Sequence, residues 1–415
     1  MLSHQENELL TRVGAGTPMG ELMRRYWIPA GFSDQIATHD SPPTRVRLLG
    51  EDLVLFRATD GRIGLLDERC PHRTASLFYG RNEQNGLRCV YHGIKFDVEG
   101  HCTDVPCVPF SDETQLNNVK SKLAVKSYPC LEKAGVIWTY MGPADLKPDF
   151  PDLEWTLCPP SHRWATRHVQ ECNWLQGLEG GFDAPHLTFL HAGSAESSRR
   201  VVPSHYEVMP TDFGLVVGTG RDLGGDDIHW NVNVMLMPFH KIISSLPMAA
   251  HVWVPIDDDN TMLYSINFNS YRPLTDEEMK RETSWNGIHT ENAPGSDHAI
   301  RNRANDYLID RTLQASGKSY TGMKGLGIQD CAIQESMGPI ADRAAEHLLI
   351  TDSAIVKIRR LLLQTLKDHA AGKPLPGMNP TSYRVRSVRC EVPKGAPFAD
   401  SMAARVKVVA EAPAE

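Results

Sequence analysis

The sequence predicts an α+β fold with two domains: a smaller all-β domain, followed by a larger domain in which strands precede helices. Its 415 residues exceed the ~150 that are typical of one domain. Short strand-like segments separated by turns fill residues 45–140, and strand and helical segments follow a proline-rich break. We therefore expect an amino-terminal helical segment at 1–40 that packs with the larger domain, the all-β domain at 41–150, and the larger domain at 151–415.

The composition excludes several classes of protein. Hydrophobic residues make up 41% of the chain and charged residues 23%, which are the proportions of a globular protein and not of a disordered or collagen-like one. With 43 basic and 51 acidic residues the net charge is −8, which argues against a nucleic-acid or anionic-membrane partner. No apolar run approaches the ~18 residues of a membrane span, and the polar amino terminus fits no signal or transit peptide, so we expect a cytoplasmic protein.

A short helix is predicted near the amino terminus. Thr17 followed by Pro18 is typical of an N-cap with proline at the first helical position, and the helix should extend to about Tyr26. The glycines at 14–20 follow no strand and lack the spacing of the dinucleotide fingerprint. We therefore expect no nicotinamide site there.

The all-β domain is predicted from strands bounded by turn residues. Gly50-Glu51 and Asp60-Gly61 supply turn signals, and strands so closely spaced favour a small sandwich or barrel. The proline-rich segment 143–160 is the candidate linker. The predicted strands are Arg45–Leu49, Asp52–Phe56, Gly61–Asp67 and Gly135–Tyr140.

The larger domain is predicted to begin with a helix over 174–190. An acidic turn at 257–260 joins two of the strands that follow, and it lacks the alternating ligands of a calcium loop, so we expect a solvated hairpin tip. Helices dominate the prediction from 276 to about 369. The predicted strands are Gly214–Thr219, His229–Met237, Ala249–Pro255 and Thr261–Phe268.

Two short motifs in the all-β domain point to a metal centre. Cys70-Pro71-His72 and Cys89-Val90-Tyr91-His92 together offer two thiolates and two imidazoles. Such a set can hold a tetrahedral zinc ion, or a Rieske [2Fe-2S] centre in which two Cys bind one iron and two His bind the other. Each loop here supplies one cysteine and one histidine. Zinc fingers usually take two cysteines from one short segment and two histidines from another, so the pattern favours the iron–sulfur centre.

The other cysteines are expected to be reduced and inert. Nine cysteines are too few for a disulfide scaffold in a chain of this length, and an odd number leaves one unpaired. The seven outside the two motifs are Cys102, Cys107, Cys130, Cys158, Cys172, Cys331 and Cys390.

A second metal site is predicted after the linker. His186 and His191 lie in an apolar segment, about 140° apart on an ideal helix, so they can share an ion only if the helix bends or ends between them. Pro185 and the glycines at 180–181 can cause that irregularity. Two imidazoles and a carboxylate from elsewhere form the facial triad of non-haem Fe(II) oxygenases, and Asp183 is placed to hydrogen-bond a ligand imidazole.

The two motifs in one chain resemble those of the oxygenase component of Rieske non-haem iron ring-hydroxylating enzymes. The resemblance extends over nearly the whole chain, and segments 10–27 and 334–343 are similar to the phthalate dioxygenase branch, which also includes O-demethylases. It implies a catalytic domain with a central antiparallel sheet covered by helices, of the helix-grip type. Respiratory Rieske proteins carry an extra disulfide, but Ala75 and Tyr91 stand at the matching places here, which favours the oxygenase type.

The resemblance also implies roles for individual residues. The third iron ligand would be Asp330, with Glu335 as the alternative, while Asp342 would pair with Arg343 or another neighbour. Asp183 would be the catalytic residue that bridges an iron-bound imidazole and a cluster imidazole. The implied ligands are Cys70, His72, Cys89 and His92 for the [2Fe-2S] cluster and His186, His191 and Asp330 for a mononuclear Fe(II).

The implied activity is cis-dihydroxylation of an aromatic carboxylate, such as phthalate, isophthalate, phenoxybenzoate or a related benzoate. O₂ would be the oxidant, and the missing nicotinamide and flavin fingerprints imply a separate NAD(P)H-dependent reductase. A homo-oligomer is implied, as a trimer or stacked trimers. Two alternatives stay open: O-demethylation of a methoxylated aromatic acid, and a non-catalytic Rieske electron carrier, which would need only residues 70–92.

The substrate pocket is expected between the iron segment and the sheet. An aromatic carboxylate needs a cation, and Arg221 and Lys241 are the candidates nearest the predicted sheet. The predicted lining is apolar and consists of Phe182, Leu187, Met235, Met237, Phe239, Ile243 and Trp253.

Overall fold

The structure, a computed structural model, describes residues 2–109, 112–192 and 201–408. The chain divides into two compact units, one formed by Met23–Lys147 and the other by Met1–Leu22 together with Pro148–Glu415. The amino-terminal segment assigned to the larger unit therefore ends at Leu22, earlier than the expected residue 40. The physical reason is that Trp27–Phe32 pairs with a strand of the smaller unit.

The described residues of the smaller unit form three antiparallel sheets. With elements numbered in chain order throughout, their strand orders are β1-β10-β9, β2-β3-β4 and β5-β6-β7-β8. The helix α3 is Glu113–Lys120. The strands are β1 Trp27–Phe32, β2 Thr44–Leu48, β3 Glu51–Arg57, β4 Ile63–Asp67, β5 Arg81–Glu83, β6 Gly86–Arg88, β7 Lys95–Phe96, β8 Cys102–Asp104, β9 Cys130–Lys133 and β10 Val136–Tyr140.

Each strand predicted for this unit is present within two residues of its expected bounds. β10 is buried along its whole length, while β3 buries its middle four residues. Phe56 on β3 lies so close to β4 that a Cβ on Gly64 would meet its ring carbon Cε1 at 2.4 Å. The core formed in this way includes Cys70 and Cys89, which places two candidate metal ligands inside the unit.

The larger unit is built on one antiparallel sheet with the order β11-β17-β16-β15-β14-β13-β12, and β18 also pairs with β14. The predicted strands correspond to β13, β14, β16 and β17, whereas β11, β12, β15 and β18 were not predicted. The strands are β11 Arg163–Gln170, β12 His205–Pro210, β13 Gly214–Arg221, β14 Asp227–Leu236, β15 His240–Ile243, β16 Met248–Pro255, β17 Thr261–Phe268 and β18 Val388–Pro393.

Helices cover this sheet, which confirms the predicted α+β class with a central antiparallel sheet. One of them, α5, packs on β15 and β16, and another, α10, packs on β12 and β13. Long loops separate α7, α8 and α9, so the region after 276 is less helical than predicted. Outside α3, the helices are α1 His4–Thr11, α2 Pro18–Met23, α4 Glu154–Leu157, α5 Trp174–Phe182, α6 His186–Phe189, α7 Asp276–Glu282, α8 Arg311–Ala315, α9 Leu326–Ser336, α10 Ser353–Ala370 and α11 Phe398–Met402.

The predicted helix over 174–190 is wrong in its length. It ends at Phe182, and the next residue, Asp183, is extended, with φ −77° and ψ 111°. Pro185 has no N–H to continue the ladder, and α6 starts as a separate turn at His186. α6 itself ends at Phe189, so the helix ends between the two histidines as expected, and the break after Phe182 is a second irregularity that precedes His186.

The first helix anchors the segment that carries the candidate iron ligands. α1 begins with a capping box between Ser3 and Glu6 and packs against α5 and α10. At the start of α5, Asn173 donates to the Thr11 carbonyl at 2.9 Å, and the Trp174 indole donates to Leu10 at 3.2 Å. α5 is thus held at its amino-terminal end by the first residues of the chain.

The acidic turn joins β16 and β17 in a hairpin, as predicted. Its Asp258 is not simply solvated, since it accepts hydrogen bonds from the Val13 N–H at 2.8 Å and from Arg12 at 3.2 Å. Among the described residues, no helix combines the length and the apolar character that a membrane crossing requires.

Two candidate metal centres and an adjoining cavity

The two Cys/His loops of the smaller unit share one backbone frame. In each loop the cysteine N–H donates to the carbonyl five residues later, and the N–H four residues later donates back to the cysteine carbonyl, at 2.8 to 2.9 Å. The residues four positions after each cysteine, Thr74 and Gly93, have positive φ values of 54° and 75°. A Cβ on Gly93 would meet Pro106 Cγ at 2.7 Å, so the second loop requires glycine there.

The four side chains of these loops are sorted by depth. Cys70 and Cys89 are each only 2% exposed, whereas His72 is exposed and His92 is partly exposed, with their ring centroids 4.5 Å apart. Neither cysteine forms a disulfide. Burial raises the pKa of Cys70 to about 11, and the nearby Cys89 adds to the rise. Thiolates at this depth need a cation, and an inner pair of sulfurs with an outer pair of imidazoles fits a two-iron cluster.

A second cluster of ligands lies in the larger unit. His186, His191 and Asp330 each offer one donor atom, and the three atoms lie within 4.8 Å of one another. His191 Nε2 is 3.2 Å from Asp330 Oδ1, and His186 Nε2 is 3.7 Å from the same oxygen. The structure thus brings together the two predicted histidines and the predicted carboxylate, and the set has the composition of a facial triad.

Each imidazole of this cluster is oriented by a partner at its other nitrogen. Asp183 Oδ2 lies 3.4 Å from His186 Nδ1, and Gln329 Oε1 lies 2.7 Å from His191 Nδ1. Both rings therefore turn Nε2 toward Asp330. Asp183 was predicted to contact His186, whereas Gln329 was missed because an amide has no sequence signal of metal binding.

The electrostatics of Asp330 favour its ionised form. Burial acts to raise the pKa of this carboxyl, but the imidazoles of His191 and His186 outweigh burial and lower the pKa below its usual value. An ionised carboxylate beside two imidazoles suits a divalent cation.

Two further acidic residues take other partners. Glu335, the alternative third ligand, accepts hydrogen bonds from the Tyr307 hydroxyl at 2.5 Å and the Glu171 N–H at 3.1 Å. Asp342 was expected to pair with Arg343 or another neighbour, and its carboxylate lies 3.7 Å from His4 Nδ1. Arg343 binds Glu179 on α5 instead, at 3.0 Å.

Glu179 is the centre of a buried ion network. Its carboxylate accepts from both Arg343 and Arg359 of α10, and Arg359 also binds Glu346 at 2.6 Å. Burial alone would raise the pKa of Glu179, but the two guanidinium groups hold it below its usual value. Asn7 of α1 accepts from Arg343 at 3.1 Å. The network joins α1, α5 and α10, and Glu179 precedes the first candidate iron ligand, His186, by seven residues.

A cavity of about 420 Å³ opens beside the triad and is bounded by the sheet. His186, His191 and Asp330 all line it. Gly181 lets α5 lie close to the sheet, since a Cβ there would meet Trp253 Cη2 at 2.5 Å. A volume of this size accommodates a small aromatic molecule.

The predicted apolar lining is only partly correct. Four of its members line the cavity, namely Phe182, Leu187, Ile243 and Trp253. The other three, Met235, Met237 and Phe239, are at most 1% exposed and lie outside the lining that the described residues form. Met235 lies on the same face of β14 as the lining residues Asn231 and Asn233, so its position along the strand, and not strand alternation, separates it from the cavity.

Of the two predicted cations, only Lys241 lines the cavity. Arg221 is 2% exposed and donates to the Val201 carbonyl at 2.7 Å, away from the lining. The sequence missed Arg389, which joins the lining from β18 and donates to the Ser244 carbonyl at 2.8 Å. Its strand follows four helices along the chain and pairs back into the sheet, which no local pattern reveals.

Buried histidines also surround the site. His251 of β16 lines the cavity, and burial lowers its pKa to about 3. His168 of β11 lies 3.3 Å from the Cys331 sulfur, and burial lowers its pKa to about 4. These imidazoles are uncharged at neutral pH, so they contribute hydrogen-bonding atoms and no net charge.

Comparison with known families covers both units. Residues 26–129 match the Rieske [2Fe-2S] domain family, and residues 230–413 match the family described as LigXa C-terminal domain like.

Curated relatives match nearly the whole chain. The 3-chlorobenzoate-3,4-dioxygenase oxygenase subunit of Comamonas testosteroni is 39% identical over 90% of both chains. The phthalate 4,5-dioxygenase oxygenase subunit of Pseudomonas putida is 36% identical over 91% of this chain and 89% of the relative. The 5,5'-dehydrodivanillate O-demethylase oxygenase subunit of Sphingobium sp. (strain NBRC 103272 / SYK-6) is 32% identical over 90% of this chain and 82% of the relative.

Solved structures share the fold. The NdmA QL mutant of Pseudomonas putida CBB5 with caffeine superposes with a TM-score of 0.62 over 92% of this chain and 99% of that one, at 20% identity.

Proposed function

Because the chain belongs to the Rieske-type ring-hydroxylating oxygenases, we propose that it is a terminal oxygenase that cis-dihydroxylates an aromatic carboxylate. The arene, O₂, two electrons and two protons combine to give the cis-dihydrodiol. The observation that carries this proposal is the convergence of His186, His191 and Asp330 on one side of a cavity that also holds the buried cation Lys241.

The family carries a Rieske [2Fe-2S] cluster and a mononuclear iron, and we assign the ligands of both from the donor sets described above. Cys70, His72, Cys89 and His92 would hold the cluster, and His186, His191 and Asp330 would hold the iron. Bound together, these groups supply electrons one at a time and a site for O₂ activation.

The protein's own residues prepare the site. Asp183 would accept a hydrogen bond from the His186 Nδ1–H and hold that ring in place, and the Gln329 carbonyl oxygen would do the same for His191. The apolar walls formed by Phe182, Leu187 and Trp253 would exclude water from the aromatic ring. In the proposed homo-oligomer, a trimer or stacked trimers, Asp183 would also meet the imidazole of His92 from a neighbouring copy, which would couple the two metal sites.

A separate reductase fed by NAD(P)H would deliver the electrons. Two of the relatives are oxygenase subunits of dioxygenase systems, which supports a multicomponent system here. The need for NAD(P)H supports a cytoplasmic location in this proposal.

The second candidate function is O-demethylation of a methoxylated aromatic acid. It is favoured by the similarity to an O-demethylase oxygenase subunit, and it uses the same oxidant and electrons to give a phenol, formaldehyde and water.

The test combines purified protein, a Rieske-oxygenase reductase, NADH and a panel of benzoates, including 3-chlorobenzoate, phthalate and methoxybenzoates. We expect cis-dihydrodiol from at least one acid, in a ratio near one per NADH. Formaldehyde release without a diol would replace the first function by the second. About three irons per chain are expected for an oxygenase, and about two would indicate an electron carrier.

A further inference from the structure

Lys241 and His251 face each other across two neighbouring strands. They are register partners in the antiparallel pairing of β15 with β16, so their side chains leave the sheet on the same face. Both line the cavity, and they are only 9% and 8% exposed. The sheet therefore presents a buried ammonium and a buried imidazole side by side, on the wall of the cavity that contains the triad.

Each of the two side chains has a feature that suits an anion. Lys241 Nζ donates to the Gly181 carbonyl and lies 5.3 Å from the centre of the Phe182 ring, which fixes the charge between the sheet and the end of α5. His251 Nε2 is buried and has no hydrogen-bond partner within the described residues. A neutral imidazole carries one N–H donor, so the pair offers a positive charge and a directed donor to one ligand.

We propose that Lys241 and His251 form the subsite that binds the anionic head group of the substrate, and that this head group is a single carboxylate or an isosteric monoanion. The inference deepens the proposed function and rests on it. A carboxylate has two oxygens, and the ammonium and the imidazole N–H would each meet one of them. The aromatic ring would then extend along the apolar wall toward His186, His191 and Asp330.

Two other cations line the cavity among the described residues, and they fit this role less well. Arg389 pairs with Asn231 and Lys241 pairs with Met235, so they lie four residues apart along β14, or about 13 Å. Arg389 is exposed, whereas Lys241 is buried. Arg281 already binds Glu282 at 3.1 Å and the Leu246 carbonyl at 2.9 Å. Among the described residues, the buried end of the cavity thus has one cation, which favours a monoanion over a dianion such as phthalate.

The test measures equilibrium binding to the purified full-length protein without reductant, with its iron content determined. The probes are benzoate, the neutral analogue benzamide, phthalate and benzenesulfonate. For the wild type we expect benzoate to bind at least ~10-fold more tightly than benzamide and no more weakly than phthalate. Tighter binding of benzenesulfonate would support the subsite with a sulfonate as the head group.

The variants separate the subsite from a general loss of structure. We expect Lys241→Met to weaken benzoate binding at least ~10-fold and to change benzamide binding less than ~2-fold. His251→Phe should weaken benzoate binding by a smaller factor, and Lys241→Arg should retain part of the affinity. Lys357→Met, on the exposed face of α10, is the matched control and should bind as the wild type does. If Lys241→Met fails to fold, the benzoate affinities of His251→Phe and Lys241→Arg test the subsite, and unchanged affinity in His251→Phe would then contradict it.

Unchanged benzoate affinity in Lys241→Met, or a larger loss in Arg389→Met, would overturn the subsite. Its failure is distinguishable from failure of the proposed function. Charge-dependent binding without oxidation of any aromatic acid keeps the subsite and rejects the function. Diol formation with an unchanged KM in Lys241→Met keeps the function and rejects the subsite.

Discussion

The Oε1 of Gln329 lies 2.7 Å from Nδ1 of His191, and Gln329 is the residue directly before Asp330 on α9. The amide group of Gln329 donates in turn to the Thr321 hydroxyl at 3.1 Å and the Met323 carbonyl at 3.0 Å. These two bonds leave only the carbonyl oxygen of the amide for the imidazole, so the ring turns Nε2 toward Asp330. One turn of α9 therefore provides a ligand and also orients a second ligand.

Replacing this amide should weaken the iron site. Gln329→Leu keeps the size of the side chain but removes the acceptor for the His191 N–H, and we expect metal affinity or turnover to fall about 10- to 100-fold. Iron retained after dialysis against a chelator measures the effect. Gln364→Leu, on the exposed face of α10, is the control. Full iron retention together with full turnover in Gln329→Leu would contradict the role of the amide.

Asp183 allows a cleaner separation of metal binding from turnover. Asp183→Asn preserves the shape of the side chain but cannot hold a negative charge beside His186, so we expect normal iron content and a turnover at least ~100-fold lower. The measurements are iron per chain and diol formed per minute. Asp342→Asn, with its side chain 58% exposed, should behave as the wild type. Normal turnover in Asp183→Asn would refute the assignment of Asp183 as the catalytic residue.

The two metal centres should be separable by mutation. Cys70→Ser removes an inner ligand of the cluster, and we expect the visible absorption of the cluster to vanish while iron falls from about three to about one per chain. Cys107→Ser, at an exposed cysteine, is the control and should keep the full cluster absorption and the full iron content. The outcome that argues against the assignment is an intact cluster spectrum in Cys70→Ser.

The Glu179 network should contribute strongly to stability. Glu179→Gln removes the carboxylate that the buried Arg343 and Arg359 share, and we expect a loss of about 3–5 kcal/mol in the free energy of unfolding at pH 7. Because the pKa of Glu179 is lowered by folding, this contribution is present above about pH 4.5 and disappears as pH falls through the folded pKa. Denaturant unfolding at several pH values tests both points, with the exposed Glu277→Gln as control. A loss that is independent of pH would contradict the ion-network explanation.

The buried His289 predicts a second pH dependence. Its ring bonds Thr166 and Asn267 at 2.6 Å each, and burial lowers its pKa to about 3. Between about pH 6.5 and 3 the His289 imidazole binds a proton in the unfolded chain but stays neutral in the folded chain, so the free energy of unfolding falls as pH falls. We expect His289→Gln to flatten this slope by up to about 1.4 kcal/mol per pH unit, measured by denaturant unfolding. The exposed His298→Gln should leave the slope unchanged.

Features set by neighbouring residues could be predicted from the sequence. The Cys70 and Cys89 loops were recognisable because both ligands and the hydrogen bonds that shape each loop lie within six residues. The position of the helix break was not, because the glycines at 180–181 and Pro185 are both plausible causes and favour different places. In the structure the chain leaves the helix at Asp183, before the proline.

Features set by distant residues required more than local spacing. Asp330 lies far along the chain from His191, and only the resemblance to a family pointed to it. Gln329 was missed because a glutamine beside an aspartate has no distinctive pattern. Arg389 was missed because β18 reaches the centre of the sheet from near the end of the described chain.

The Glu179 network sets an order for the assembly of the protein during synthesis. The segment with Glu179, His186 and His191 leaves the ribosome well before Asp330 and before the arginines that bind Glu179. Until Arg343 and Arg359 have emerged, α5 would have to bury the Glu179 carboxylate without the two guanidinium groups that bind it, which opposes its final packing. An iron held by His186, His191 and Asp330 would therefore bind late, after nearly the whole chain has been released.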